Sequence, residues 1–124
     1  MDSNTIYRFD ELEYLFPKCM AEFKTFATDL LRQQNFAEEL IEEAVKDLCT
    51  FTVNSANPIF YQFLDHYKIY VVIDCMDYID GKEWIPMVVN TELEIKETRI
   101  EAMILAFNEA FVILEKQLEN ESSN

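Results

Sequence analysis

Glycine and histidine are nearly absent from this sequence, which holds one of each among its 124 residues. A phosphate-binding loop needs several glycines at fixed spacing, because a backbone carrying β-carbons cannot approach a phosphate closely. The P-loop and the dinucleotide-binding fingerprint are therefore excluded. The single histidine, His66, leaves no His–Cys cluster of the kind that holds zinc. No cofactor and no metal are predicted.

Basic residues are also scarce, since ten Lys and Arg stand against 24 Asp and Glu and give a formal net charge of -14. Such a field repels nucleic-acid phosphates and anionic membrane surfaces. No stretch reaches the roughly 18 uncharged residues of a membrane span. We therefore expect no direct nucleic-acid binding and no membrane partner.

Signals for secretion are missing as well. The first four residues provide neither a basic nor an apolar segment of a signal peptide. The three cysteines, Cys19, Cys49 and Cys75, are odd in number and widely spaced, which favours reduced thiols over a disulfide framework. These features predict a cytoplasmic protein.

Apolar residues make up 50% of the chain and aromatic residues 14%. A chain of this size buries about 65% of its unfolded surface. We predict one acidic domain over residues 1–124, built on large rings, with residues 1–8 and 120–124 frayed.

Apolar residues at steps of three and four predict helices in the N-terminal half. One such run predicts a mostly helical segment over residues 10–34, in which Pro17 either kinks the helix or opens a second one. A capping-box pattern of Asn35 and Glu38 predicts the next helix over residues 36–51.

The helices then give way to a predicted hairpin. A loop ending at Asn57 precedes a short helix over residues 58–66. The β-branched and aromatic run within residues 67–76 predicts a strand, and residues 84–89 its return, with Asp80 and Gly81 as the turn.

That turn pairs Ile73 with Val88, Val72 with Val89 and Met76 with Ile85. Both faces of the hairpin are then largely apolar. Such a ribbon needs helices on both sides, another strand or a second copy of the chain, and we predict a homodimer. Pro86, which has no N–H group, predicts that part of the second strand is an edge.

The C-terminal part is predicted to be one long helix over residues 98–119, packed on the hairpin and opened by a capping box of Thr98 and Glu101. Residues 92–97 fit either a strand or a helix start. The fold class is therefore α+β: two to three helices, one hairpin and a long final helix.

Groups that could carry catalysis are few. His66 would need a thiol or hydroxyl brought near by folding. Cys75 stands between Asp74 and Met76, and nearby carboxylates disfavour the reactive thiolate. We interpret the cysteines as structural residues and His66 as a capping or surface residue.

Two acidic regions are candidate binding surfaces. The first is an acidic helix face, formed by Glu38, Glu39, Glu42, Glu43 and Asp47. The second surrounds the predicted turn and is formed by Asp77, Tyr78, Asp80, Glu83 and Trp84. Acidic charge speeds association with a basic surface, and aromatic side chains supply contact area. A solvated surface is the plainer interpretation of both.

The strand over Glu83 to Val89, followed by Lys96 to Ala102 and a long apolar helix, resembles the end of small uncharacterised proteins of phages and mobile elements of bacteria. The resemblance implies an inhibitor or modulator of host or rival machinery. It implies no functional residue.

The sequence thus predicts a non-enzymatic protein that binds another protein with a basic surface and occludes it. The alternative is a small-molecule-binding domain with an aromatic-lined cleft. A hydrolase using Cys75 and His66 is the least favoured hypothesis.

Overall fold

The computed structural model describes residues 5–7, 9–48, 51–52, 58–79 and 81–123. The elements in these ranges are β1 Thr5–Tyr7, α1 Phe9–Leu15, α2 Pro17–Gln33, α3 Glu38–Leu48, β2 Phe51–Thr52, α4 Pro58–His66, β3 Val71–Tyr78, β4 Gly81–Val88, β5 Thr91–Glu92 and α5 Arg99–Ser123. The predicted α+β class is confirmed, because a helical first half leads into a hairpin and a long final helix packs on its strands.

Pro17 opens a new helix. Phe16 has non-helical backbone angles, φ -135° and ψ 65°, and separates α1 from α2. Proline fits the first turn of a helix, where an N–H group has no partner in any case. Leu12, Phe16 and Cys19 are all buried across this break, so the apolar stripe keeps its phase.

The predicted cap at Asn35 is wrong, because this residue ends α2. Asn35 has φ 61°, and its N–H bonds to the carbonyl of Arg32 at 3.0 Å. The N–H of Phe36 bonds to the carbonyl of Leu31 at 3.0 Å. These two bonds form a Schellman motif, the usual end of a helix whose next residue is left-handed.

A small sheet stands where the sequence predicted a frayed start and the end of a helix. β1 pairs antiparallel with β2, with Thr5 opposite Thr52. The predicted helix over 36–51 instead ends at Leu48. The predicted Asn57 cap lies outside the described residues, while α4 spans Pro58–His66 as predicted.

The hairpin has a register two residues from the predicted one. Tyr78 pairs with Gly81, so Ile73 faces Pro86, Val72 faces Met87 and Met76 faces Glu83. The shift is even, and each side chain therefore stays on its predicted face. Gly81, which the sequence placed in the turn, is instead the first residue of β4. Its φ of 150° is an angle that L side chains rarely adopt, and this explains why glycine fits the position.

Strand β4 is paired on both sides over its later residues, so the prediction of an edge is wrong at Pro86, whereas residues 81–83 pair with β3 alone within the described chain. β5 pairs with β4 through Met87 and Val88, and a further bridge joins Trp84 to Lys96. The register changes between these two pairings, and Pro86 lies at the change, where its carbonyl accepts from the N–H of Leu93 at 2.8 Å. Proline has no N–H group to donate, and its position at the change of register is one where the strand pairing is already irregular. The open question over residues 92–97 is settled in favour of an extended segment.

Helix α5 begins at the predicted capping box. The N–H of Glu101 donates to the Thr98 hydroxyl at 3.2 Å, and that hydroxyl donates to the Glu101 carboxylate at 2.8 Å. The helix runs to Ser123, four residues beyond the predicted end at 119.

The core lies where α2, α4 and α5 meet. Its largest members are fully buried phenylalanines: Phe23, Phe60, Phe63, Phe107 and Phe111. Phe23 stacks on Phe60 at 4.6 Å between ring centroids, and Phe60 meets Phe111 edge-on at 5.4 Å. Rings in these arrangements add attraction beyond their burial, as predicted for an aromatic core.

Candidate protein-binding surface

The three-stranded sheet formed by β3, β4 and β5 has one covered face and one open face. Alternate residues of β3 and β4, including Val71, Ile73, Pro86 and Val88, lie on the inner face, which α5 covers. We define the outer face by side chains of the alternate set on these strands, together with Tyr70, which precedes β3 and bonds to Val89: Tyr70, Val72, Asp74, Met76, Tyr78, Glu83, Ile85 and Met87. The sequence predicted two apolar faces, and α5 covers only one.

Large apolar side chains are exposed on the outer face. Tyr70 is 51% exposed, Val72 49%, Met76 43% and Tyr78 50%. Exposed apolar side chains grouped on one face in this way mark a contact site more often than scattered apolar residues do. The sequence placed Val72 and Met76 on an apolar face of the hairpin but did not single them out, or Tyr70, as candidate binding residues.

Carboxylates are interspersed with these apolar side chains. Asp74 is exposed and Glu83 is half-buried, and both lie on the outer face. One Asp74 oxygen accepts from the backbone N–H of Cys75 at 3.0 Å. The outer face is therefore both apolar and anionic.

The predicted residues around the turn divide between the two faces. Tyr78 and Glu83 lie on the outer face, while Asp77 and Trp84 belong to the opposite set. Trp84 is half-buried, and the Arg99 guanidinium lies 5.1 Å from its ring centroid in a cation–π contact. Asp80 lies outside the described residues.

The acidic face of α3 is exposed, as its sequence suggested. Ile41 and Val45 bury the opposite side of the helix, which packs on α2. All five predicted residues are exposed: Glu38, Glu39, Glu42, Glu43 and Asp47.

Two of these carboxylates have basic neighbours. Arg32 donates to Glu38 through Nε at 3.1 Å and through a terminal nitrogen at 3.0 Å, and this hydrogen bond and charge raise the pKa of Arg32. Lys46 lies 3.9 Å from Glu43. The α3 surface is thus partly neutralised. Helix α3 packs chiefly on α2, so the structure places the two predicted surfaces on separate elements.

A groove of about 300 Å³ lies between α2 and α4, lined in part by Glu22, Phe26, Asp29, His66 and Tyr67. The His66 ring is exposed, 6.0 Å from the Phe26 ring and 5.2 Å from the Tyr67 ring. The Tyr67 hydroxyl donates to Glu22 at 2.8 Å. Burial, followed by that hydrogen bond, raises the pKa of Tyr67.

Neither of the two cysteines that the structure describes lines this groove. Cys75 is half-buried on β3 opposite Trp84, and Cys19 is fully buried in α2. Cys49 lies outside the described residues. Within the ranges that the structure describes, no three side chains of His, Cys, Asp or Glu are grouped to hold a metal ion.

No protein-family model, no curated protein and no solved structure matches this chain. None of the helices described is both long and apolar enough to cross a membrane. The α+β fold and the two acidic surfaces therefore supply the grounds for assigning a function.

Proposed function

We propose that this protein is a non-enzymatic binding protein that uses the outer face to occlude an apolar and basic surface on a partner protein. The observation that carries the proposal is the row of half-exposed apolar side chains, Tyr70, Val72, Met76 and Tyr78, on one face of the sheet. Water leaves such a face favourably when a partner covers it.

Charge defines the partner. Asp74 and Glu83 lie among the apolar side chains, and the whole chain carries a formal charge of -14. A partner that buries these carboxylates must offer Lys or Arg, because an unpaired buried charge costs several kcal/mol. The acidic face of α3 contributes to long-range attraction and hence to the association rate.

The proposal is tested with the partner captured from the native host, by measuring binding kinetics with purified variants. Replacing Val72 with Lys should raise the dissociation rate at least about tenfold, because it introduces a charge into the contact. Replacing Glu39 with Lys on α3 should mainly lower the association rate and its dependence on salt.

A matched control is Glu109→Lys, which makes the same charge change at an exposed position of α5. Glu109→Lys should change the association rate and its salt dependence less than Glu39→Lys does. If Val72→Lys binds like the native protein, the outer face is not the contact surface and the proposal fails. A captured partner without a basic surface would contradict the electrostatic part.

The groove between α2 and α4 favours a second candidate function, the binding of a small molecule. Its wall combines the rings of Phe26, His66 and Tyr67 with the carboxylates of Glu22 and Asp29, a lining suited to an organic cation. A thermal-shift screen tests it, because a ligand selective for the native state raises the melting temperature. Loss of that shift in Phe26→Ala would place the ligand in the groove.

A cytoplasmic location and a homodimer belong to the same proposal. A second copy on the outer face would have to bring its own Asp74 and Glu83 near those of the first, and like charges oppose such a contact. We therefore expect any dimer to strengthen with added salt. Sedimentation equilibrium at low and high salt measures this directly.

A further inference from the structure

Strand β3 pairs with β4 along one side, and along its other side it pairs with no strand among the residues that the structure describes. The carbonyl of Tyr70 accepts from the N–H of Val89 at 2.9 Å, which shows that Tyr70 directs its backbone groups toward β4. Backbone groups alternate in direction along a strand. The set beginning at Val71 and including Ile73, Cys75 and Asp77 therefore directs its N–H and C=O groups to the other edge, where no strand of the described chain pairs.

The bonds of β4 show the same alternation. Trp84 and Lys96 exchange both of their backbone hydrogen bonds at 2.9 Å, and the Pro86 carbonyl accepts from Leu93. Trp84 and Pro86 thus face the third strand, which leaves the odd-numbered residues of β4 to bond β3. All of these backbone bonds are consistent with an open edge on β3.

The exposed apolar surface lies on the same strand as the open edge. Val72, Met76 and Tyr78 on β3 are about half exposed, whereas Ile85 and Met87 on β4 are partly buried. A strand added beside β3 would cover the exposed side chains from their open flank. Two independent features, backbone and side chains, therefore point to one side of one strand.

The Asp74 carboxylate lies at the open edge of β3 and bonds to one of its N–H groups. Asp74 accepts from the N–H of Cys75 at 3.0 Å and so occupies one donor of the open edge. Charged side chains at sheet edges commonly prevent unwanted pairing. An incoming strand that carries Lys or Arg opposite Asp74 satisfies the carboxylate and frees the donor, whereas an acidic or neutral strand does not.

We propose that the partner adds an extended strand to the open edge of β3, with basic residues opposite Asp74 and Asp77 and apolar residues opposite Val72 and Met76. This inference rests on the proposed function and specifies how the partner binds. Main-chain hydrogen bonds give such strand addition its affinity, and the side chains select the partner.

The test uses the full-length protein and a blocked peptide, Thr-Lys-Val-Thr-Lys-Val-Val-Thr, whose antiparallel pairing places lysines opposite Asp77 and Asp74. Amide hydrogen exchange is followed by NMR with and without the peptide. The edge-facing amides of Ile73 and Asp77 should slow by about tenfold or more, because each gains a hydrogen bond. The Cys75 amide should also slow, because it exchanges the exposed Asp74 carboxylate for a carbonyl of the added strand. The amides of Val72 and Met76, already bonded to β4, should change less.

Cys75→Pro removes one edge-facing N–H and keeps the bonds to β4, so it should weaken peptide binding by about tenfold. Cys75→Ala is the matched control, since it loses the thiol and keeps the N–H, and it should bind like the native protein. If the two variants bind equally well, or if the peptide does not bind at all, strand addition is refuted.

The failure of this inference can be told apart from failure of the proposed function. Shifts in the Val72 and Met76 methyl signals without slowed edge amides would mean that a partner docks on the outer face itself. That result would support the proposed function and contradict strand addition. Edge amides that slow with rising protein concentration alone would identify a second copy as the occupant. If a captured partner binds the Val72→Lys variant as tightly as the native protein, the proposed function is contradicted.

Discussion

The Glu115 carboxylate on α5 accepts a hydrogen bond of 2.8 Å from the backbone N–H of Cys19, in the first turn of α2. It also lies 3.3 Å from the N–H of Lys18. Phe16, the residue at the N-cap, offers no side-chain hydrogen bond. A residue 96 positions away therefore caps α2, and its negative charge stands at the positive end of the helix dipole.

Removing this carboxylate should destabilise the protein substantially. Glu115 is buried, and Glu115→Ala would leave the Cys19 N–H without its acceptor, at a cost of about 2–3 kcal/mol in the free energy of unfolding. Glu115→Gln keeps one acceptor oxygen but loses the charge, and should cost about 1 kcal/mol. Urea denaturation measures both values.

The control is Glu109→Gln, which removes a carboxylate from an exposed position of the same helix. Its effect should stay within about 0.5 kcal/mol. Equal stability of Glu115→Ala and the native protein would show that α2 does not depend on this cap.

A second prediction concerns Lys68, which ends α4 in the left-handed conformation with φ 62°. The N–H of Ile69 bonds to the carbonyl of Leu64, and that of Lys68 to Asp65, in the same motif that ends α2. Glycine adopts this conformation without a steric cost. Lys68→Gly should therefore raise the free energy of unfolding by about 0.5–1 kcal/mol.

Asn35 provides the matched comparison, because it holds the equivalent position after α2 with φ 61°. Asparagine tolerates left-handed angles better than lysine does. Asn35→Gly should therefore gain less than Lys68→Gly, as measured by thermal or urea unfolding. A larger gain at Asn35 would contradict the conformational explanation.

The third prediction concerns the turn between β4 and β5. Val89 and Asn90 form it with φ values of 50° and 63°. Positive φ is a genuine outlier for a β-branched residue, whereas asparagine is favoured at this position of a two-residue hairpin turn. Val89→Asn should stabilise the protein by about 1 kcal/mol.

Val72→Asn is the control, because it makes the same exchange at an exposed strand position with ordinary backbone angles. It should destabilise, since asparagine is disfavoured in strands. Stabilisation by both variants would indicate that lower surface hydrophobicity, rather than relief of backbone strain, is responsible.

Elements with local signals were predictable from the sequence. α4 begins at Pro58, and α5 follows the Thr98 capping box, because proline and capping side chains act on neighbouring residues. The turn at Val89 and Asn90 carried no glycine signal and was not predicted. Asn35 was assigned to the wrong helix end, because asparagine suits both an N-cap and a left-handed C-terminal position.

Features set by distant residues were beyond sequence reasoning. The pairing of β1 with β2 joins residues more than 40 positions apart, and the Glu115 cap joins residues 96 apart. The candidate surface was predicted only in part. Tyr78 and Glu83 lie on the outer face, but its other members were not named as binding residues, because the sequence does not show which apolar hairpin face stays exposed. Which face α5 would cover depended on packing that no local pattern encodes.

The last prediction concerns stability at alkaline pH. The pKa of Tyr67 is raised above its ordinary value of 10.0, chiefly by burial and then by the hydrogen bond to Glu22. The folded state therefore holds the phenol proton more tightly than the unfolded state. The resulting stability is complete below pH 10 and falls above it, where the unfolded chain ionises first.

Tyr67→Phe has no such proton, so its free energy of unfolding should decline less steeply than that of the native protein as the pH rises from about 9.5 to 11. Urea denaturation at fixed pH steps measures the difference. Because burial is the largest cause of the shift, Glu22→Gln should keep most of the native slope. If the free energies of unfolding of the native protein and Tyr67→Phe fall in parallel with pH, folding does not change the pKa of this phenol. If Glu22→Gln loses the native slope, the hydrogen bond to Glu22 rather than burial is the main cause of the raised pKa.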